Sequence, residues 1–223
     1  MGFAAEQLAR VRVAWQEMLD HPFLLRTRDG AIPFETFATW MRQDYLFVEG
    51  AIPFISILLA KAPEKHQPAL SDVLGMLHKE LGLFRERAAA VGVDLGNLEP
   101  SFVNHAYIQF LLATAYRESY ACGYTVFYVA ERAYHDSWRV VLNGIDRGSP
   151  WFPFVEKWAG DAFAGYVADL EKELDELASQ AGPAERGRMA ELFELTMRYE
   201  IAFWNMAWTA EAWPHASGFA SGA

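Results

Sequence analysis

Apolar residues recur at the three-and-four spacing of an α-helix along nearly the whole chain. Leu8, Val11, Trp15, Met18 and Leu19 share one face of a first helix, which Asp20-His21-Pro22 ends. A turn at Arg28-Asp29-Gly30 precedes Pro33, placed for the first turn of a second helix through Trp40, Asp44, Phe47 and Ala51. Pro53 predicts a kink in it and Pro63 its end. A third helix runs from about Pro68 to Val91 and closes at Gly92, and Glu99-Pro100-Ser101 opens a fourth that carries Tyr107.

Gly123 reads as a break or bend, after which a long aromatic helix continues to about Leu142. Gly144, Gly148 and Pro150 make a loop; helices near 151–160 and 162–180 follow, and a last one runs from Gly182-Pro183 to before Pro214. The stretch Tyr124–Val129 has strand propensity, but its apolar positions continue at helical spacing to Trp138, which decides for helix. The expectation is an all-α fold, one domain over residues 1–215 built as a bundle of seven or eight helices, with a frayed tail at 216–223.

Three of the predicted faces carry an acid where periodicity calls for an apolar residue. Asp44 lies in the Trp40–Phe47–Ala51 stripe, and Glu200 lies among Phe193, Met197 and Trp204. Glu131 and His135 lie in the stripe Tyr120, Tyr124, Phe127, Tyr128, Tyr134, Trp138. A buried carboxylate must be paired, hydrogen-bonded or protonated, and such groups collect at functional sites. Either Asp44 or Glu200 can be a salt-bridged core acid, with Arg42, Arg132 or Arg198 as partner. Convergence on one cavity is the alternative, where carboxylates grip ring nitrogens and an amino group of a planar heterocycle that aromatic rings sandwich.

The i, i+4 spacing of Glu131 and His135 also suits two ligands of one metal ion. A di-iron bundle needs Glu-x-x-His pairs on facing helices, and the chain has none; His78 and Glu80, two apart, point to different faces. No metal ligand and no cofactor are therefore assigned. Gly-x-Gly-x-x-Gly, phosphate-loop and Gly-x-Ser-x-Gly motifs are missing too, so nucleotide and serine-hydrolase chemistry fall away.

Composition narrows the classes further. The 223 residues are 52% hydrophobic and 22% charged, as in soluble globular domains, and 15% aromatic. A net charge of −10 with no basic cluster argues against nucleic acid. No apolar run approaches the ~20 residues of a bilayer span, so no membrane partner is expected. One unpaired cysteine in a chain with no export signal reads as cytoplasmic.

Three segments resemble the TenA, or thiaminase II, family, which has the haem-oxygenase-like helical fold. They are His21-Pro22-Phe23 with Gly30, Phe37 and Gln43-Asp44-Tyr45; Pro100 to Tyr107 leading into the aromatic helix; and Tyr199-Glu200 with Phe203-Trp204-Asn205-Met206-Ala207. The resemblance implies an enzyme of thiamin salvage that hydrolyses a C–N bond of an aminopyrimidine, and a homo-oligomer, dimer or tetramer. It implies catalytic roles for Asp44, matching the acid that hydrogen-bonds the pyrimidine, and Glu200, matching the glutamate at the ring nitrogen and amino group. It further implies substrate contacts from Tyr107, Tyr124, Tyr128, Phe47 and Trp204. Glu131 and His135 are expected as a supporting hydrogen-bonded layer behind the pocket.

The family's nucleophilic cysteine falls at Tyr124, and the only cysteine, Cys122, lies two residues earlier and about 200° round the helix. The chain thus resembles branches that lack the thiol and act on amino- or formylamino-pyrimidines through carboxylates. Two other readings stay open: a non-catalytic binder of a pyrimidine or related heterocycle, and a metal-dependent oxidase on the same fold. The regulator label attached to the family does not suit so acidic a surface.

Overall fold

The structure, a computed structural model, describes residues 1–214, and the expected frayed tail lies outside the described residues. Among them are ten α-helices, a single 3-10 turn at Glu64–His66 and no strand. They run α1 (Phe3–Arg10), α2 (Arg12–Leu19), α3 (Pro22–Arg28), α4 (Phe34–Lys61) and α5 (Gln67–Val91). Then come α6 (Phe102–Arg117), α7 (Tyr120–Leu142), α8 (Phe152–Ala159), α9 (Asp161–Gln180) and α10 (Pro183–Thr209).

The all-α reading holds, and the helix count rises by two for local reasons. The first predicted helix is interrupted at Val11, which leaves α1 and α2 nearly continuous. The short α3 was not expected. Pro22 opens it, and the His21 side chain caps it by accepting the Phe23 N–H at Nδ1, 3.1 Å away. Because Nδ1 accepts, the other ring nitrogen carries the proton and donates to Asn205 Oδ1 at 3.2 Å. His21 thus ties the start of α3 to the end of α10.

The break assigned to Gly123 falls instead between α6 and α7. Ser119 caps α7 through the Cys122 N–H, and the helix passes through Gly123 without a bend in its hydrogen bonding. Gly123 matters in a different way: a Cβ there would lie 2.4 Å from Leu58 Cδ2 on α4, and that methyl would have to shift. The two helices touch where the side chain is missing. Pro53 stands inside α4, as the sequence suggested.

α7 is the central element, packed against α2, α3, α4, α6, α8, α9 and α10. α4 crosses it and also touches α5, α6 and α10. Contrary to expectation, α4 reaches the length and apolarity of a bilayer span. Its buried face, Phe37, Trp40, Met41, Phe54, Ile55 and Leu58, belongs to the core of the bundle. At one end of that core Phe37, Trp40, Trp138, Phe154 and Trp158 pack ring on ring, with Trp40 and Trp138 centroids 5.0 Å apart.

Two polar clamps fix the helices that surround α4. Gln43 Oε1 accepts from the Ser101 N–H and Asn104 Nδ2, both at 2.9 Å, which pins the start of α6. Arg85 donates to the Tyr45 hydroxyl at 2.7 Å, which holds α5 against α4. The clamps flank Asp44 in sequence and leave it facing inward.

Candidate active site

Asp44 points into a small cavity between helices α4, α5, α6, α7, α8, α9 and α10. Four carboxylates line it, Asp44, Glu80, Glu131 and Glu200, together with Phe47, Tyr107, Tyr134, Trp158, Phe163 and Phe203. No lysine, arginine or histidine is among its lining residues. So the two stripe acids from distant parts of the sequence do reach one space.

Each acid is held differently. Glu200 is 4% exposed, and its Oε1 accepts a hydrogen bond of 2.5 Å from the Tyr107 hydroxyl. Burial pushes the Glu200 carboxyl up to about 8, against the opposing pull of that bond. Tyr107 is itself stacked on Tyr199, centroids 4.9 Å apart, and burial first and Glu200 second raise its hydroxyl.

Asp44 is 2% exposed, and its Oδ2 is buried without a partner. The Tyr134 hydroxyl sits beside it and eases its charge, yet neither oxygen completes a hydrogen bond of proper geometry. Burial drives the Asp44 carboxyl well above the ordinary carboxylate range. Glu131 makes no hydrogen bond or ion pair to any described residue, and what surface it keeps looks onto the cavity. Burial, then repulsion from Glu80 and Glu200, raises it to about 8.

Glu80 is the carboxylate with a counter-ion. Lys157 Nζ lies 3.0 Å from its Oε2, and the Trp158 indole N–H donates to its Oε1 at 3.1 Å. Lys157 also lies 5.0 Å over the Trp158 ring. Despite four acids in one cavity, no three His, Cys, Asp or Glu side chains among the described residues are arranged to hold a metal ion.

Not every residue expected here arrives. Tyr124 shares the Glu131 face of α7 but lies two turns earlier, about 10 Å along the axis. It faces a separate groove with His66, ring centroids 5.8 Å apart. Tyr128 is wholly buried, and its hydroxyl donates to Glu171 Oε2 at 2.8 Å, away from the cavity. Trp204 is also wholly buried; it stacks behind Tyr134 at 5.9 Å and does not line the cavity. Phe47 does line it, against Tyr107 at 4.9 Å.

Glu131 and His135, both expected behind the pocket, take different places. Glu131, expected behind the pocket, is part of its wall. His135 bonds Asp136 through Nδ1 at 3.1 Å and stacks at 6.1 Å on Phe163, a wall residue, so it alone backs the site. Cys122 is 2% exposed and does not line the cavity. It precedes Glu131 by nine residues, half a revolution round an unbroken helix. Burial raises its thiol.

Sequence reasoning missed Glu80. The signal was present: Val73, Leu77, Glu80, Leu81 and Phe84 form an apolar stripe with one acid in it, the same pattern that marked Asp44 and Glu200. Trp158 and Phe163 were missed as wall residues because α8 and α9 contribute them from either side of the break at Gly160.

The model of the TENA/THI-4/PQQC family matches residues 8–210. The chain belongs to that family. Among TENA/THI-4/PQQC relatives, a protein of Halalkalibacterium halodurans named aminopyrimidine aminohydrolase is 28% identical, covering 96% of this chain and 98% of the relative. A probable bifunctional TENA-E protein of Glycine max is 26% identical over 93% of each chain. A TenA homologue from Pyrococcus furiosus superposes with a TM-score of 0.89 at 32% identity, covering 92% of this chain and 99% of that one. A domain with a heme oxygenase-like fold from Shewanella denitrificans, TM-score 0.74 at 15% identity over 93% and 92% of the two chains, shares the fold.

Proposed function

We propose that the chain hydrolyses an amino or formylamino C–N bond of an aminopyrimidine, without a cysteine nucleophile. The observation that carries this is a small cavity whose polar groups are carboxylates and tyrosines and whose remaining wall is aromatic and aliphatic. A flat ring fits between Phe47, Phe203 and Trp158, and carboxyl groups suit its nitrogens and amino group. The name of the Halalkalibacterium halodurans relative agrees with this reading.

Catalysis then falls to acids near their proton-exchange range. A carboxyl raised to about 8 holds its proton at pH 7 and can deliver it to a leaving amine. Glu200, oriented by Tyr107, has that role, while Asp44 grips the amino group of the ring. Water attacks the carbon that bears the amine as the C–N bond breaks; the amine leaves with the proton from Glu200, and the proton that the water sheds returns to the Glu200 carboxylate. Phe47, Tyr107 and Tyr134 hold the ring in place. The family match across 8–210 supports treating residues 1–215 as one unit. The free Cys122 suits a cytoplasmic setting, and family resemblance supports a homo-oligomer.

The deciding experiment is steady-state turnover of aminomethyl- and formylaminopyrimidine by wild type and Cys122→Ala. Both proteins should turn over at least one of the two at similar rates. Binding without turnover would favour a non-catalytic binder, and loss of turnover in Cys122→Ala would return the thiol to the mechanism.

A further inference from the structure

The groove that Tyr124 faces lies end to end with the cavity. Both are bounded by the same three helices, in the same register on each. α5 gives Met76 to the groove and Leu77 to the cavity, α7 gives Phe127 and Ala130, and α9, whose numbering falls in that direction, gives Tyr166 and Phe163. α5 packs on α4, whereas α9 packs on α1, α7 and α8, so these two walls stand apart with α7 as the floor between them. They are tied at the two ends. At the groove end His66 Nε2 lies 2.7 Å from Glu173 Oε2, and Lys65 Nζ lies 2.6 Å from Glu176 Oε1. At the cavity end Lys157 of α8 holds Glu80 of α5. Between the ties no hydrogen bond or ion pair joins α5 to α9 among the described residues.

Exposure falls along this line. Met76 in the groove is 46% exposed, whereas Asp44 and Glu200 at the far end are 2% and 4% exposed. Tyr166 stands at the junction. It lines the groove, and its ring packs 5.4 Å from that of Phe163 in the cavity wall. Burial first, then Glu131 of the cavity and Tyr124 of the groove, raise its hydroxyl, so it is close to both spaces. Tyrosines that hold helices together have their hydroxyls tied, Tyr45 to Arg85, Tyr107 to Glu200 and Tyr128 to Glu171. The Tyr166 hydroxyl makes no hydrogen bond to a described residue, nor does that of Tyr124, which is 4% exposed. A ring without such a tie changes rotamer without breaking a bond, and an unpartnered hydroxyl is served by whatever occupies the groove.

We propose that the groove is the passage by which a small molecule reaches the carboxylates, and that the Tyr166 ring is the gate between the two spaces. Seven residues separate Tyr124 from Glu131 on α7 and Val73 from Glu80 on α5, so the passage is about 10 Å long at 1.5 Å per residue. With the ring across the junction, the acids are shut off from the groove. A turn about the Tyr166 Cα–Cβ bond opens the way, and the return of the ring behind a bound molecule keeps bulk water from the acids. The passage does not depend on the aminopyrimidine reading, because it concerns access and size and not the identity of the ligand.

The test places a reporter thiol in the cavity wall and needs no substrate. Ala51 lines the cavity from α4, away from the groove, and Ala51→Cys in a Cys122→Ala background gives a single thiol to label. Its reaction with methyl methanethiosulfonate, which forms a methyl disulfide and releases methanesulfinate, is followed by mass spectrometry. Tyr166→Ala should raise the labelling rate about tenfold, and Ala69→Trp with Met76→Trp, both at exposed groove positions, should lower it about tenfold. Adding the two tryptophans to Tyr166→Ala should slow the labelling again. If labelling then stays fast, Tyr166→Ala has only loosened the bundle, and the proposal fails. An unchanged rate in the tryptophan pair means that the cavity opens elsewhere and overturns the passage, while an unchanged rate in Tyr166→Ala overturns the gate. Should Tyr166→Ala not fold, the tryptophan pair decides alone, since it replaces exposed side chains. No pyrimidine enters the measurement, so a failed turnover assay and a failed passage remain separate results.

Discussion

Glu131 and Arg132 are neighbours on α7 and face two different worlds. Arg132 turns outward, where it donates to Asp136 at 2.9 Å and to Glu171 at 2.6 Å. The Trp15 indole N–H, His135 and the Tyr128 hydroxyl complete the same network, so both of its carboxylates have several partners. Glu131, about 100° round the helix, has none among the described residues. Charges on the outer side join α2, α7 and α9. On the inner side Glu131 joins nothing among the described residues, and Glu131 and Glu200 are both raised toward neutrality by burial. A satisfied network serves the fold, whereas unsatisfied acids in an aromatic cavity are a cost the fold tolerates for a ligand.

The sharpest way to break this comparison is to remove an inner acid and watch chemistry rather than stability. Glu200→Gln should lower kcat by a factor of about 10² to 10⁴, because the amide cannot deliver a proton. Its melting temperature should stay level or rise, since a buried acid is replaced by a neutral isostere. A variant that keeps its turnover would refute the inner site.

Arg132→Met should do the reverse. It leaves Asp136 and Glu171 short of their shared cation and should cost about 1–3 kcal/mol by denaturant unfolding, with KM little changed. No loss of stability would mean that the outer network is incidental.

The third difference is in pH. Glu131 and Glu200 sit near 8 when folded and in the ordinary carboxylate range when unfolded. Between these values the unfolded chain has released protons that the folded chain keeps, so stability falls as pH rises from about 4.5 to about 8. Glu131→Gln should flatten that slope and raise the melting temperature at pH 9 by about 2–4 °C, as for a gain of ~1 kcal/mol in a chain of this length. An unchanged slope would show that Glu131 is ionised in the folded protein.

Much of the architecture was legible because long amphipathic helices announce themselves by period. The short α3 was not, since seven residues carry little periodicity and its cap is a histidine rather than the usual serine or aspartate. The site was readable where an acid interrupted an apolar stripe, as Asp44 and Glu200 do. It was misread along α7, where the stripe named the correct face but not the turn. Tyr124 and Glu131 share a face, and which of them meets the cavity depends on where α4, α5 and α10 cross, information that no single helix contains.

The contact between Gly123 and Leu58 acts as a fulcrum. From it the two chains run in opposite senses toward the same space, α4 back by fourteen residues to Asp44 and α7 forward by eight to Glu131. At 1.5 Å per residue the arms are about 21 and 12 Å long. A splay of about 3° at the pivot therefore displaces the far end of the longer arm by about 1 Å, a distance that can change a rate by about a hundredfold. A methyl group added at Gly123 that pushed α4 and α7 apart would thus be felt at acids two to four helical turns away. Damage there would be read in an assay as a catalytic lesion, though no catalytic group had been touched.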